Sequence, residues 1–225
     1  FGVSAKYIDH LKNENYNIKK LDLSSIKIIT STGSPLAEES FRYVYENIKN
    51  DVHLASIAGG TDLVGCLVLG NLYSNVHKGE IQGQSLGIDV DVFTDNGKST
   101  KDGDKGELVV KKPFPSMPVK FWGDNDGQKY HKAYFTRFEN IWHHGDFIER
   151  TSNNGFIMRG RSDSTLNPGG VRIGTSEIYQ QVEDIDFITE GLVVGQDFKD
   201  DIRIILFVTT KNNQELDDKK VKSIK

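Results

Sequence analysis

Arg159-Gly-Arg-Ser-Asp-Ser-Thr-Leu-Asn-Pro-Gly-Gly-Val-Arg-Ile-Gly-Thr-Ser-Glu-Ile178 reads as strand, tight turn, strand and helix start. Pro168, Gly169 and Gly170 form the turn, and a helix is expected behind it over 176–182. Arginines flank the turn, Arg161 before it and Arg172 after it, with Asp163 close to the first. A chain that only had to reverse direction would not need cations at both ends of the reversal. Guanidinium groups bind anions through paired N–H donors, and glycines without a Cβ let another molecule pass near the main chain. The segment therefore suits an anion held beside an approachable backbone. Taken one at a time, these residues fit a charged hairpin with solvated arginines better.

Before this segment the texture is different. Ser4 can cap a short helix carrying Tyr7, Ile8 and Leu11, and 26–31 reads as a buried strand. Phe41, Val44, Tyr45 and Ile48 follow helical spacing, and a strand over 52–57 completes an α/β unit of the kind that sheathes a parallel sheet. Residues 87–93 alternate strictly, which predicts one buried and one wet face; the turn Asp95-Asn-Gly-Lys98 and a strand over 106–111 follow. A weak helix over 129–138 and a hairpin around Asn153-Asn-Gly155 come next. The layout restarts near Asp163, with a helix and two antiparallel strands over 191–195 and 202–209. The fold class is thus mixed α/β. A sheet-plus-helix part with an antiparallel β subdomain is expected over 1–162, then the beginning of a small α+β domain over 163–225.

Bulk properties exclude several classes. The 225 residues are 36% hydrophobic and 27% charged with a net charge of −4, which fits a soluble globular protein and gives no basic patch for nucleic acid. No apolar run approaches the roughly 20 residues of a membrane span. The single cysteine, Cys66, rules out an internal disulfide and lies in an apolar run, so a buried, inert thiol and a cytoplasmic location are expected. The chain opens on Phe1 and closes in a polar stretch that reads as a helix start, so it is expected to be part of a longer protein.

Three further stretches carry chemistry. Gly33, Ser34 and Pro35 lie between a strand end and a helix start, where a flat ring can rest on the backbone. A plain turn, with Pro35 in the helix's first turn, accounts for them as well. Ala58-Gly59-Gly60-Thr61-Asp62 follows a strand; its hydroxyl suits a phosphate oxygen and its carboxylate suits Mg²⁺, although an exposed glycine turn is the simpler reading. In Trp142-His143-His144-Gly145-Asp146 the adjacent histidines point to opposite strand faces and cannot chelate one metal. Asp146 could accept both hydroxyls of a ribose, or merely bond turn amides.

These four stretches, in this order and spacing, resemble the acyl-adenylate-forming ligases, the superfamily of acyl-CoA synthetases, over essentially the whole chain. The run Lys112-Pro-Phe-Pro-Ser-Met-Pro-Val119 is similar to the branch that activates acetoacetate. The resemblance implies that a carboxylate attacks ATP to give an acyl-adenylate, and that coenzyme A then displaces AMP. It further implies that Gly33, Ser34 and Pro35 pack on adenine, Ala58 is among the cofactor-binding residues, Asp146 holds ribose and Arg161 binds the α-phosphate. Thr61 would bond a phosphate oxygen and Asp62 would manage Mg²⁺. Asp163 would be the hinge of the small domain, Gly169 and Gly170 would line the pantetheine channel, and Arg172 would lie near the active site. Most of the superfamily has Thr-Glu where this chain has Thr61-Asp62, one methylene shorter. Acetate-activating members carry a tryptophan just before that pair. Gly59 and Gly60 stand here instead and leave room for a longer acid, though glycines serve backbone shape equally well. The family's phosphate loop and distal lysine do not occur among these residues, so this stretch alone is expected to form no acyl-adenylate. Acetyl-, propionyl- or butyryl-activating enzymes and a non-catalytic nucleotide-binding remnant are the competing readings.

Overall fold

Ser4 accepts a hydrogen bond from the Tyr7 amide at 3.1 Å, so the first helix starts where its sequence signal placed it. In the computed structural model, which describes residues 1–14, 16–168, 171–183, 185–198, 201–211 and 214–224, that helix (α1, Ala5–Asn13) follows β1 (Gly2–Ser4). β1 pairs in parallel with β2 (Ile28–Thr32), and β2 with β3 (His53–Ser56). Strands joined in parallel need crossovers long enough to cover the sheet. α1 supplies one, and α2 (Glu38–Tyr43), continued by a π-helical turn over Val44–Ile48, supplies the other. Ile8, Ile29, Phe41, Val44 and Leu54 form the core between sheet and helices. The expected continuous burial of 26–31 is corrected: Ile29 and Ser31 are buried while Ile28 is exposed, so β2 presents one face to this core.

After β3 the chain builds antiparallel sheets, as the run of short strands suggested. β4 (Ala58–Gly60), β5 (Gly65–Leu69) and β6 (Gly83–Gln84) form one; β7 (Val90–Phe93), β8 (Lys105–Val110), β9 (Trp142–Arg150) and β10 (Phe156–Arg161) form a meander. Leu67, Val92, Leu108, Trp142 and Ile148 are in the core they share. The alternation expected for 87–93 holds only at its start, where Gly87 is exposed and Asp89 half-buried; all four residues of β7 are buried, Asp91 included. A buried carboxylate must be paired. Asp91 accepts from Arg150 at 2.6 Å and Ser99 at 2.7 Å, with the Lys111 ammonium 3.0 Å away. Burial opposes its ionisation, but the Ser99, Lys111 and Val92 donors hold its pKa below the ordinary value. α3 (Gln128–Tyr134) is shorter than its expected span, and Phe138 instead packs edge-on against Phe93. The Asn153–Gly155 hairpin forms as expected, closed by Thr151 N–H to Gly155 C=O at 3.0 Å, with Asn154 left-handed.

The chain divides into two compact units, Phe1–Met158 and Arg159–Lys225, with the division inside β10. In the second unit a 3-10 turn over Ser162–Ser164 leads to a bridge between Leu166 and Ile173. Then come α4 (Thr175–Glu183), the antiparallel pair β11 (Ile188–Phe198) and β12 (Asp201–Thr210), and α5 (Asp218–Ile224). Both strands extend beyond their expected bounds. Leu166, Val182, Ile188 and Val193 are buried.

Candidate functional site

Two loops leave the carboxyl ends of neighbouring parallel strands, where α/β sheets bind ligands. Pairing persists past the strand ends, since Ile57 N–H reaches the Ser31 carbonyl at 2.9 Å. The first loop holds Gly33 in a left-handed conformation, with nothing within 4 Å of the place a Cβ would take, and Ser34 exposed. Helix α2 begins only at Glu38, so Pro35 precedes its first turn. The second loop passes through β4 and ends with Thr61 and Asp62, both exposed.

A chain of side chains ties Asp62 to Asp146. The Tyr134 hydroxyl donates to the Asp62 carboxylate. The Tyr134 ring stacks on Trp142 with centroids 3.6 Å apart and planes 13° from parallel. Trp142 Nε1–H donates to His144 Nδ1 at 3.3 Å, so the imidazole proton sits on Nε2, which bonds the Gly59 carbonyl at 3.1 Å. The same Nε2 is 3.6 Å from the Asp146 carboxylate. Gly59 and Asp62, close together on one loop, and Asp146, far along the chain, thus share one framework built on three buried rings.

Asp146 owes its position to a bulge. Between the pairs Glu107↔Phe147 and Val109↔His143, a two-residue step on β8 faces four on β9. Gly145, left-handed at φ 82°, lies in the surplus segment. Such bulges re-aim side chains next to sites. The adjacent histidines face opposite ways as expected: His143 turns to Glu107, His144 to Gly59.

The glycines of β4 have local reasons. A Cβ on Gly59 would fall 2.1 Å from the Gly65 carbonyl oxygen, and one on Gly60 would fall 2.9 Å from the His144 ring. Backbone approach to β5 therefore demands glycine at 59, and His144 fills the space a side chain at 60 would need. A tryptophan at 59 could not simply be added to this strand. Cys66 is half-buried, and burial pushes its thiol pKa up, away from nucleophilic use.

Arg161, Asp163 and Arg172 belong to the second unit. Arg161 is 55% and Asp163 78% exposed, with 3.8 Å between Nε and the carboxylate. The Arg161 carbonyl accepts from the hydroxyls of Ser164 and Thr165 at 3.0 and 3.1 Å, which fastens the turn after β10. Arg172 adjoins the bridge residue Ile173. Gly169 and Gly170 lie outside the described residues. Among the described residues no three His, Cys, Asp or Glu side chains gather to hold a metal. Asp62 with Thr61 fits Mg²⁺ all the same, because that ion is commonly bound through one or two carboxylates plus substrate phosphates.

No residue type announced Tyr134, Trp142 or His144 as parts of this framework. The nearest signal was Trp142, His144 and Asp146 at alternate positions of one strand.

No protein-family model matches the chain. An anthranilate CoA ligase solved with anthranoyl-AMP superposes on all of it, at a TM-score of 0.79 and 18% identity, over 42% of that protein. The fold is therefore that of the later part of the acyl-CoA ligases. The acetoacetyl-CoA synthetase of Streptomyces lividans matches more closely, at a TM-score of 0.88 and 38% identity, again over the whole chain and 34% of that protein. The acetoacetyl-coenzyme A synthetase of Rhizobium meliloti is 56% identical over 226 residues, which are 35% of its length. The chain is homologous along its whole length to these acetoacetyl-CoA synthetases and spans about a third of their length.

Proposed function

We propose that this chain is the part of an acetoacetate–CoA ligase that grips the nucleotide and carries the beginning of the mobile small domain, with the domains meeting at 162/163. Acetoacetate attacks the α-phosphate of ATP to give acetoacetyl-AMP and pyrophosphate; the thiol of coenzyme A then displaces AMP and leaves acetoacetyl-CoA. Such chemistry needs positioning and charge neutralisation more than a protein nucleophile. The Gly33-Ser34-Pro35 loop and Ala58 offer adenine a flat backbone surface. Asp146 accepts the two ribose hydroxyls. Thr61 bonds a phosphate oxygen, and Arg161 neutralises the α-phosphate through its planar fork. Mg²⁺, held through Asp62, supplies charge neutralisation on the phosphates when bound. Asp163 is the hinge, with Gly169 and Gly170 lining the coenzyme A channel and Arg172 nearby. Gly59 and Gly60 border the acyl side of the site. The cytoplasm is the proposed location.

One observation carries this reading: Asp62 and Asp146 are joined through Tyr134, Trp142 and His144. Pyrophosphate exchange by the full-length gene product tests it. Exchange is expected with acetoacetate in preference to acetate, propionate and butyrate, and none by residues 1–225 alone. Equal turnover of all four acids would sink the acetoacetate assignment, and no exchange with any acid would sink the ligase.

A further inference from the structure

Glu107 is a carboxylate with no exposed surface, and the proposed reaction makes no use of it. One oxygen lies 2.8 Å from His143 Nε2, and the other lies 3.2 Å from the Arg137 guanidinium. Arg137 in turn reaches Asp95 at 2.7 Å, on the turn between β7 and β8. Desolvating a carboxylate this far is costly unless it is hydrogen-bonded and paired, so the fold gains something from keeping it here.

Its place in the register shows what that is. Glu107 pairs with Phe147 at one end of the β9 bulge, while its side chain bonds His143, which pairs with Val109 at the other end. The side chain spans the bulge from behind. The Phe138 ring, edge-on at 5.8 Å, closes the far side of His143. Asp146 lies inside the segment so pinned, 3.6 Å from His144, which turns away from Glu107 toward the Gly59 carbonyl.

We propose that Glu107, with His143 and Arg137, is a positioning residue for Asp146: a buried clamp across the bulge that sets the aim of the ribose-binding carboxylate without touching the nucleotide. This inference rests on the ligase reading above. Backbone displacements of about an ångström at a binding group can cost up to roughly a hundredfold in rate, so even a partly loosened clamp is readable.

The test compares wild-type full-length enzyme with Glu107→Gln, which keeps shape and loses charge, and with the more exposed Arg137→Gln. For both variants we expect KM for ATP to rise by about tenfold, with KM for acetoacetate and for coenzyme A within about twofold of wild type. His143→Gln should behave like Glu107→Gln, and the double variant should be no worse than either single one, as coupled partners require. A uniform loss across all three substrates, or additive effects, would make the cluster merely structural and overturn the proposal. Should Glu107→Gln not fold, Arg137→Gln and His143→Gln decide on the same readouts. Wild-type enzyme without acetoacetate-dependent activity would instead refute the ligase reading itself.

Discussion

Two regions were expected to serve one nucleotide, and they are built on opposite plans. Around Trp142, in the first unit, the expected ligand groups hang on buried rings, and Asp146 is itself only 7% exposed. Around Arg161, in the second unit, the Arg161 and Asp163 side chains are exposed, and the hydroxyls of Ser164 and Thr165 fasten the Arg161 carbonyl. The first plan suits recognition, which needs groups fixed before the ligand arrives. The second suits a hinge, which must change its dihedrals without tearing a core. In both regions glycines mark where backbone comes close: a Cβ on Gly174 would fall 2.1 Å from the Arg159 carbonyl oxygen, as at Gly59.

This contrast can be broken by substitution. Trp142→Ala removes the ring on which Tyr134 stacks, and should destabilise the protein by about 3–5 kcal/mol in chemical denaturation. Gly59→Ala forces a methyl against the β5 backbone and should cost about 1–3 kcal/mol, with pairing of β4 and β5 disturbed. Tyr134→Phe keeps the stacking but frees Asp62. Stability should fall by about 0.5–1.5 kcal/mol or less, while the Mg²⁺ concentration for half-maximal exchange rises severalfold. Asp163→Asn breaks an exposed, loose ion pair, so stability in chemical denaturation is expected to change by less than about 0.5 kcal/mol. A large loss of stability at Asp163, or none at Trp142, would erase the distinction between the two regions.

Much of this was legible because local signals carry it. The Ser4 cap and the Asn153–Gly155 turn are set by residues within a few positions of each other, and β11 and β12 follow one another directly along the chain. What escaped depends on partners far along the chain. The alternation over β7 signalled a wet face, but Asp91 is buried because Arg150, 59 positions later, pairs with it. Tyr134 sits in a weakly helical stretch and meets Asp62 across 72 positions. The bulge is invisible as well, since neither the alternation of 142–150 nor Gly145 by itself declares two surplus residues. Gly59 reads from sequence either as room for a longer acid or as a need of backbone shape, and its close approach to the paired strand β5 supplies the second reason.

The structure of the full-length protein with AMP bound tests the central claim most directly. Both ribose hydroxyls are expected on the Asp146 carboxylate, with Thr61 and Asp62 toward the phosphate and the His144–Gly59 bond intact. A nucleotide seated elsewhere, with its sugar out of reach of Asp146, would contradict it.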